Sequence, residues 1–143
     1  MSAGPAVDPR GPRFAAILTT IVLAVVLVTE WWPLLAAQTV VFAIGAFAGL
    51  KPAPYSIVYR ALVAPRLGPT DEREDAAPLR FAQAVGFVFA LVGTIGFAAG
   101  ITPLGIVATA FALFAAFLNA AFDFCLGCEM FLLIKRFTPA RAS

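Results

Sequence analysis

Four long apolar stretches limit what this chain can fold into. A helix needs about 20 mostly apolar residues to cross a bilayer. Stretches of suitable length lie at residues 14–32, 34–50, 81–99 and 103–134, and no charged residue interrupts the second or third, as the cost of placing charge in hydrocarbon requires. The sequence therefore predicts an all-α fold: a single domain over residues 1–143, built as an integral membrane bundle of four transmembrane helices.

The composition excludes several classes of function. The chain is 62% hydrophobic and 13% charged, with a mean hydropathy of +0.94, whereas a soluble domain is about 45–50% apolar and about 25% charged. The apolar composition indicates the lipid bilayer as the partner of this chain. A formal net charge of +2 is too small to indicate nucleic acid as a partner. The chain has no histidine, which excludes Ser-His triads and histidine-ligated haem or zinc. We predict no cofactor and no metal.

The positions of lysine and arginine predict the orientation in the membrane. All ten precede the first span, separate the second from the third, or follow the fourth, whereas the short loops 30–33 and 100–103 contain none. Loops rich in lysine and arginine stay in the cytoplasm. The prediction is a multi-pass protein of the cell inner membrane with both termini cytoplasmic. Trp31 and Trp32 then belong to the outer aromatic belt.

Residues 51–80 form the central cytoplasmic loop in this topology. Its first part, residues 54–65, is apolar, bracketed by prolines and too short to span, which predicts an interfacial helix. The acid-rich segment that follows, residues 67–78, is interpreted as a solvated linker, with an acidic docking patch as the alternative.

Small residues predict where the helices pack closely. Membrane helices associate through such residues because lipid supplies no hydrophobic drive for association. Glycines recur four apart in the second helix and again in the third. In the third helix one face at 3-4 spacing consists of Gln83, Gly86, Ala90, Gly93, Phe97 and Gly100. We expect Gln83 to form a hydrogen bond that pins two helices, rather than to bind a ligand, and we assign Arg80, Gln83 and Asn119 to polar packing or support of a site.

The fourth apolar segment is too long for one straight span. Residues 103–134 would form a helix of about 48 Å, against about 30 Å of hydrocarbon. We predict a break near residues 119–127, where polar residues and glycine cluster. The remainder, residues 124–137, would then lie along the cytoplasmic interface or re-enter it.

A Cys-Leu-Gly-Cys motif follows this break. Cys125 and Cys128 are three residues apart and share a helix face. If Asp123 caps a new helix, Cys125 lies in its first turn, where a thiol becomes more nucleophilic, while Glu129 opposes this effect. We therefore take the two cysteines as the candidate catalytic thiol pair, with Asp123 and Glu129 as modulators. The alternative for Asp123 is an ion pair with Arg80 or another arginine on the same side.

Several short patches along the chain match the pattern of a known family. They are Asp8-Pro9-Arg10 with Arg13-Phe14, Pro52, Arg80-Phe81-Ala82-Gln83 with Gly86, and Cys125-Leu126-Gly127-Cys128-Glu129. By these patches the sequence resembles an uncharacterised bacterial integral-membrane family, the domain of unknown function numbered 4395. One position departs from the pattern, since Phe131 stands where a tyrosine is expected after the cysteine motif. The resemblance implies a small multi-helix membrane protein and no established activity. Such families often neighbour thioredoxin-like and sulfurtransferase-like proteins.

Two hypotheses of function follow. The first is a thiol-disulfide or sulfur-relay protein that acts through the cytoplasmic-side motif with a cytoplasmic thioredoxin-like or rhodanese-like partner. The second is a non-enzymatic membrane subunit or scaffold, with cysteines that pack or bind metal. A four-cysteine metal site would require a homodimer, because one chain has only two cysteines. Whether the chain is an enzyme stays open at this point.

Overall fold

The structure, a computed structural model, describes residues 6–7, 10–50, 52–68, 74–122 and 124–137. The described chain is almost entirely helical, which confirms the all-α prediction. Its helices are α1 (Arg10–Thr29), α2 (Trp32–Ala43), α3 (Pro54–Val58), α4 (Ala64–Leu67), α5 (Ala76–Ala98), α6 (Thr102–Phe122) and α7 (Leu126–Arg136), with two π-helical segments, π1 (Ile44–Ala48) and π2 (Tyr59–Val63). A two-residue antiparallel pairing joins β1 (Ala6–Val7) to β2 (Glu74–Asp75).

Three helices are long and apolar enough to cross a membrane: α1, α5 and α6. The predicted second span, residues 34–50, is shifted by two residues to Trp32–Ala48, where α2 and π1 together have the predicted length. A helix over Trp32–Ala48 is about 25 Å long, against about 30 Å of hydrocarbon. Three of the four predicted spans therefore correspond to helices long and apolar enough to cross a membrane, and the second does not.

Two irregular features agree with the sequence analysis. The fourth apolar segment is divided into α6 and α7, and the division falls within the predicted residues 119–127. In the central loop, α3, π2 and α4 follow one another from Pro54 to Leu67, where a helix over residues 54–65 is predicted. Helix α5 already begins at Ala76, so Arg80 lies within it rather than in the loop before it.

Two tight turns at one end of the bundle reverse the chain. Between α1 and α2, Glu30 adopts a left-handed conformation with φ of 55°. Pro33 lies in the first turn of α2, where its missing N–H costs nothing, rather than in the turn itself. Between α5 and α6, Gly100 has φ of 84°, and the N–H of Ile101 donates to the carbonyl of Gly96. This is a Schellman cap, so Gly100 ends a helix and does not pack two helices together.

Helix α5 lies at the centre of the bundle and contacts α2, π1, α6 and α7. The predicted small-residue face provides the close contacts with α2 and α6. A Cβ atom on Gly86 would lie 2.7 Å from the ring of Phe42, and one on Gly93 would lie 2.9 Å from Leu35. The close packing predicted for this face is confirmed at these two positions, although not at Gly100. Beside this face, a Cβ on Gly96 would lie 2.7 Å from the backbone nitrogen of Gly105.

A polar contact inside the bundle joins α2 to α3. Gln38 is only 1% exposed, and its Oε1 accepts a hydrogen bond of 2.7 Å from the hydroxyl of Tyr55. Burial raises the pKa of Tyr55, so the hydroxyl remains a neutral donor at physiological pH. This bond holds the start of α3 against the middle of α2.

The contact of Gly96 with Gly105 predicts a large effect of a side chain at that point. Gly96→Leu should lower the free energy of unfolding by at least about 1–3 kcal/mol, because the obstacle is backbone, which cannot rotate away. Thermal unfolding of the purified protein in detergent measures this. The matched control is Ala98→Leu, since Ala98 is exposed on the same helix. Equal unfolding temperatures for the two variants would show that the helices do not cross at Gly96.

Candidate functional site

The cysteine motif forms the N-terminus of α7. Cys125 is the N-cap residue, with an extended backbone (φ −94°, ψ 104°), and its Sγ accepts a hydrogen bond from the backbone N–H of Cys128 at 3.2 Å. The carbonyl of Cys125 accepts from the N–H of Glu129 at 3.0 Å, which is the first bond of the helix. The sulfur thus occupies the place of the oxygen in an ordinary N-cap.

The position of Cys125 corrects one detail of the sequence analysis. We expected Asp123 to cap α7 and Cys125 to lie in its first turn. Instead Cys125 is itself the cap, and Cys128 lies in the first turn. Asp123 lies outside the described residues, so its predicted role as a modulator stays a prediction.

The two sulfur atoms are joined as a disulfide. The Cα atoms of Cys125 and Cys128 lie 5.1 Å apart, within the usual range for a disulfide. An extended cap residue followed by three helical residues therefore brings both sulfurs together without a second chain. The arrangement allows an S–S bond to close within one helical turn.

A close contact with α5 holds the motif in place. Gly127 is buried, and a Cβ atom on it would lie 2.5 Å from Cβ and 2.6 Å from Cα of Ala82. One turn later, the rings of Phe131 and Phe81 pack with their centroids 5.7 Å apart. The glycine of the motif thus allows α7 to approach α5, and Phe131 fixes its rotation. Sequence reasoning did not identify Ala82 or Phe81 as neighbours of the cysteines.

Glu129 is exposed. Its carboxylate follows Cys128 directly and lies in the first turn of α7. Because solvent screens an exposed charge, any effect of this carboxylate on the neighbouring sulfurs is reduced. Asn119 lies half-buried in the last turn of α6, before the interruption between the helices.

Arg80 and Gln83 face π1 rather than the cysteines. The Arg80 guanidinium donates two hydrogen bonds to the carbonyl of Ala46, at 3.2 and 2.9 Å. Gln83 covers Gly45, where a Cβ atom would lie 2.7 Å from its Oε1. Both residues support packing, although they flank Ala82 in sequence. Arg80 and Gln83 therefore lie on a different side of α5 from the residues that contact the cysteine motif.

Two further arginines bind helix ends in the same way, and sequence reasoning missed this. The Nε of Arg13 donates to the carbonyl of Ala120 near the end of α6, at 3.2 Å. Arg10 donates to the carbonyl of Gly68, directly after α4, at 2.9 Å. The signal in the sequence was an arginine near the start of a helix. At the same end of a bundle, the last carbonyls of a neighbouring helix need donors from outside that helix.

These contacts define one end of the bundle, which we call the basic end. It contains the first turns of α1 and α5, the ends of π1 and α6, and the start of α7. The motif therefore lies at the basic end. Within the described part of the chain, no three His, Cys, Asp or Glu side chains are grouped so that they could hold a metal ion.

The chain belongs to the family described as Domain of unknown function (DUF4395), which matches residues 7–136. The match covers the whole bundle and includes α7 with both cysteines. Comparisons with curated proteins and with solved structures find no match. The function must therefore be argued from the site itself.

The contact of Gly127 with Ala82 predicts how α7 depends on α5. Gly127→Ala should lower the free energy of unfolding by about 1–3 kcal/mol, although the same change at an exposed helical position is stabilising by about 0.5–1 kcal/mol. Thermal unfolding under reducing conditions measures it without a contribution from the disulfide. Leu132→Ala, at an exposed position of the same helix, is the control. A variant at Gly127 that is as stable as the unmodified chain would contradict the observed docking of α7.

Proposed function

We propose that this protein exchanges disulfides, or passes sulfur, with a cytoplasmic partner at the surface of the inner membrane. The observation that carries the proposal is the hydrogen bond from the N–H of Cys128 to Sγ of Cys125. After reduction, the same N–H and the dipole of α7 stabilise a thiolate at Cys125. A stabilised thiolate with a second cysteine one turn away is the arrangement that thiol exchange requires.

The membrane location and orientation are part of this proposal. Three helices of sufficient length and apolar character support a membrane protein. The described cations support the orientation, since Arg10, Arg13 and Arg80 all lie at the basic end. By the positive-inside rule this end is cytoplasmic. Both termini, the helix α3–α4 and the cysteine motif then face the cytoplasm, with α3–α4 at the interface.

The exchange reaction proceeds in two steps, and in each step one S–S bond forms as another breaks. The Cys125 thiolate attacks a disulfide of a thioredoxin-like partner, the S–S bond of the partner breaks, and one partner sulfur leaves as a thiolate. Cys128 then loses its proton and attacks Sγ of Cys125, which releases the second partner thiolate. The partner gains two electrons, and the pair is oxidised to the disulfide seen between Cys125 and Cys128.

Sulfur relay uses the same first thiolate. A persulfide on a rhodanese-like partner gives its outer sulfur to Cys125, and the partner leaves as a thiolate. Attack by Cys128 on Sγ of Cys125 then releases hydrosulfide and forms the same disulfide. The two reactions share the attacking and the resolving residue and differ in the chemistry of the partner.

A non-enzymatic role is the second candidate. The burial of Gly127 against Ala82 supports a scaffold in which the cysteines stabilise the start of α7. In this case the disulfide or the paired thiols would only cap a helix. The two candidates differ in whether the cysteines react with another protein in the cell.

The orientation is testable with fused reporters. A fluorescent protein that folds only in the cytoplasm, fused after Ser143, should fluoresce, whereas alkaline phosphatase at the same position should be inactive. As the matched control, phosphatase inserted between Gly100 and Ile101 should be active, because that turn lies at the opposite end of α5 from Arg80. Phosphatase activity after Ser143 would overturn the orientation.

The order of the two thiols predicts which variant traps a partner. Cys128→Ser should accumulate a mixed disulfide with another protein, because the resolving thiol is missing. Cys125→Ser should accumulate at least about tenfold less, because Cys128 lacks the cap position. Non-reducing gels of cells quenched with acid and an alkylating reagent, followed by mass spectrometry, measure both adducts.

The double variant Cys125→Ser/Cys128→Ser is the control for these adducts. Adducts that persist in it involve neither cysteine. If neither single variant forms an adduct, and both cysteines react with an alkylating reagent only after denaturation, the scaffold candidate is correct and the exchange proposal is wrong.

A further inference from the structure

Helix α7 has one face on α5 and one apolar face that no described element covers. Gly127 and Phe131 form the inner face. On the other side, Met130, Leu133 and Phe137 are 44%, 48% and 80% exposed. Their spacing of three and four residues places them in one stripe along the helix.

The length and place of α7 restrict what can cover this stripe. Its 11 residues correspond to about 16 Å, which is too short to span a bilayer. It begins directly after α6, at the basic end, beside Ala82 in the early part of α5. A helix there lies at the boundary between hydrocarbon and water if α5 and α6 cross the membrane.

The charges of α7 indicate the chemistry of the surface that it meets. The last turn contains Lys135 and Arg136, and both are exposed. The ammonium of Lys135 lies 5.9 Å from the ring centroid of Phe131, on the face that meets α5, and Arg136 follows it at the end of the helix. An exposed apolar stripe on a helix whose last turn is cationic is typical of a helix that lies among acyl chains and binds anionic headgroups.

We propose that α7 docks on anionic phospholipid of the surrounding leaflet. Met130 and Leu133 of α7 and Phe137 at its C-cap insert among the acyl chains, and Lys135 and Arg136 bind the phosphate headgroups. This inference rests on the membrane location proposed above and not on the chemistry of the cysteines. It gives α7 a second support besides α5, which keeps the cysteine motif at the level of the headgroups.

The test uses the full chain with one tryptophan on the apolar stripe. The variant Trp31→Phe/Trp32→Phe/Phe137→Trp is reconstituted in vesicles of phosphatidylcholine and phosphatidylglycerol, in which one lipid or the other is brominated on its acyl chains. Bromine quenches tryptophan at short range, so the two samples report which lipid lies beside the introduced tryptophan. Acrylamide in the water reports exposure to solvent.

We expect strong quenching by bromine and little by acrylamide. At equal mole fraction, brominated phosphatidylglycerol should quench several-fold more efficiently than brominated phosphatidylcholine, because each cation near an anionic surface contributes about a fivefold preference. High salt should reduce this preference. Adding Lys135→Gln/Arg136→Gln should remove it, whereas the control Arg66→Gln, at an exposed cation outside α7, should leave it unchanged.

Three results would overturn the inference. Quenching by acrylamide and not by bromine places α7 in water. Equal quenching by both brominated lipids shows apolar contact without headgroup binding. Protection from both quenchers shows that a second copy or another protein covers the stripe. The unmodified chain, with its native tryptophans, is measured in parallel. If brominated lipid quenches these tryptophans, the membrane location holds even when the inference about α7 fails, so the two failures are distinguishable.

Discussion

Every helix leaves the carbonyls of its last turn without partners inside the helix, and this structure supplies arginine at three such ends. Arg80 binds the carbonyl of Ala46, Arg13 that of Ala120, and Arg10 that of Gly68. A guanidinium has several donors and can satisfy carbonyls that have no partner within their own helix. The same charge interacts favourably with the negative end of the helix dipole. Arginines that predict orientation in the membrane are therefore also structural parts of the bundle.

The start of α7 has the opposite requirement, since it has N–H donors that need acceptors. A new helix begins at Leu126, and its first N–H groups need acceptors. Cys125 provides its sulfur to the N–H of Cys128, where serine, threonine or aspartate would be the usual choice. Sulfur is a weaker acceptor than oxygen, so the choice of cysteine at this position costs some helix stability. A cysteine at the cap is explained if its sulfur also reacts. For this reason we prefer the proposed exchange chemistry to a purely structural cap.

Hydropathy and spacing predicted the features that depend on local sequence. The apolar helices α1, α5 and α6 and the packed face of α5 follow from residue type and 3.6-residue periodicity, which survive any arrangement of neighbours. The π-helical end of the second helix did not follow, because π1 lies against side chains of another helix. Gln83 lies against Gly45, and Arg80 binds Ala46. Likewise the cap of α7 could not be predicted, since aspartate and cysteine near a break are both able to start a helix.

The early part of α5 connects the two irregular regions of the bundle. Residues three apart on a helix lie close to one direction, so a short run of residues can reach two neighbouring elements. Arg80 and Gln83 accordingly face π1, while Phe81 and Ala82 face α7. Four consecutive residues thus hold a π-helical turn on one side and the cysteine helix on the other. Because both attachments use the same rigid turn, the position of the sulfur atoms is set by the helix bundle and not by the flexibility of a loop. A thiol pair held in this way presents one geometry to any partner, which reduces the ordering that exchange would otherwise require.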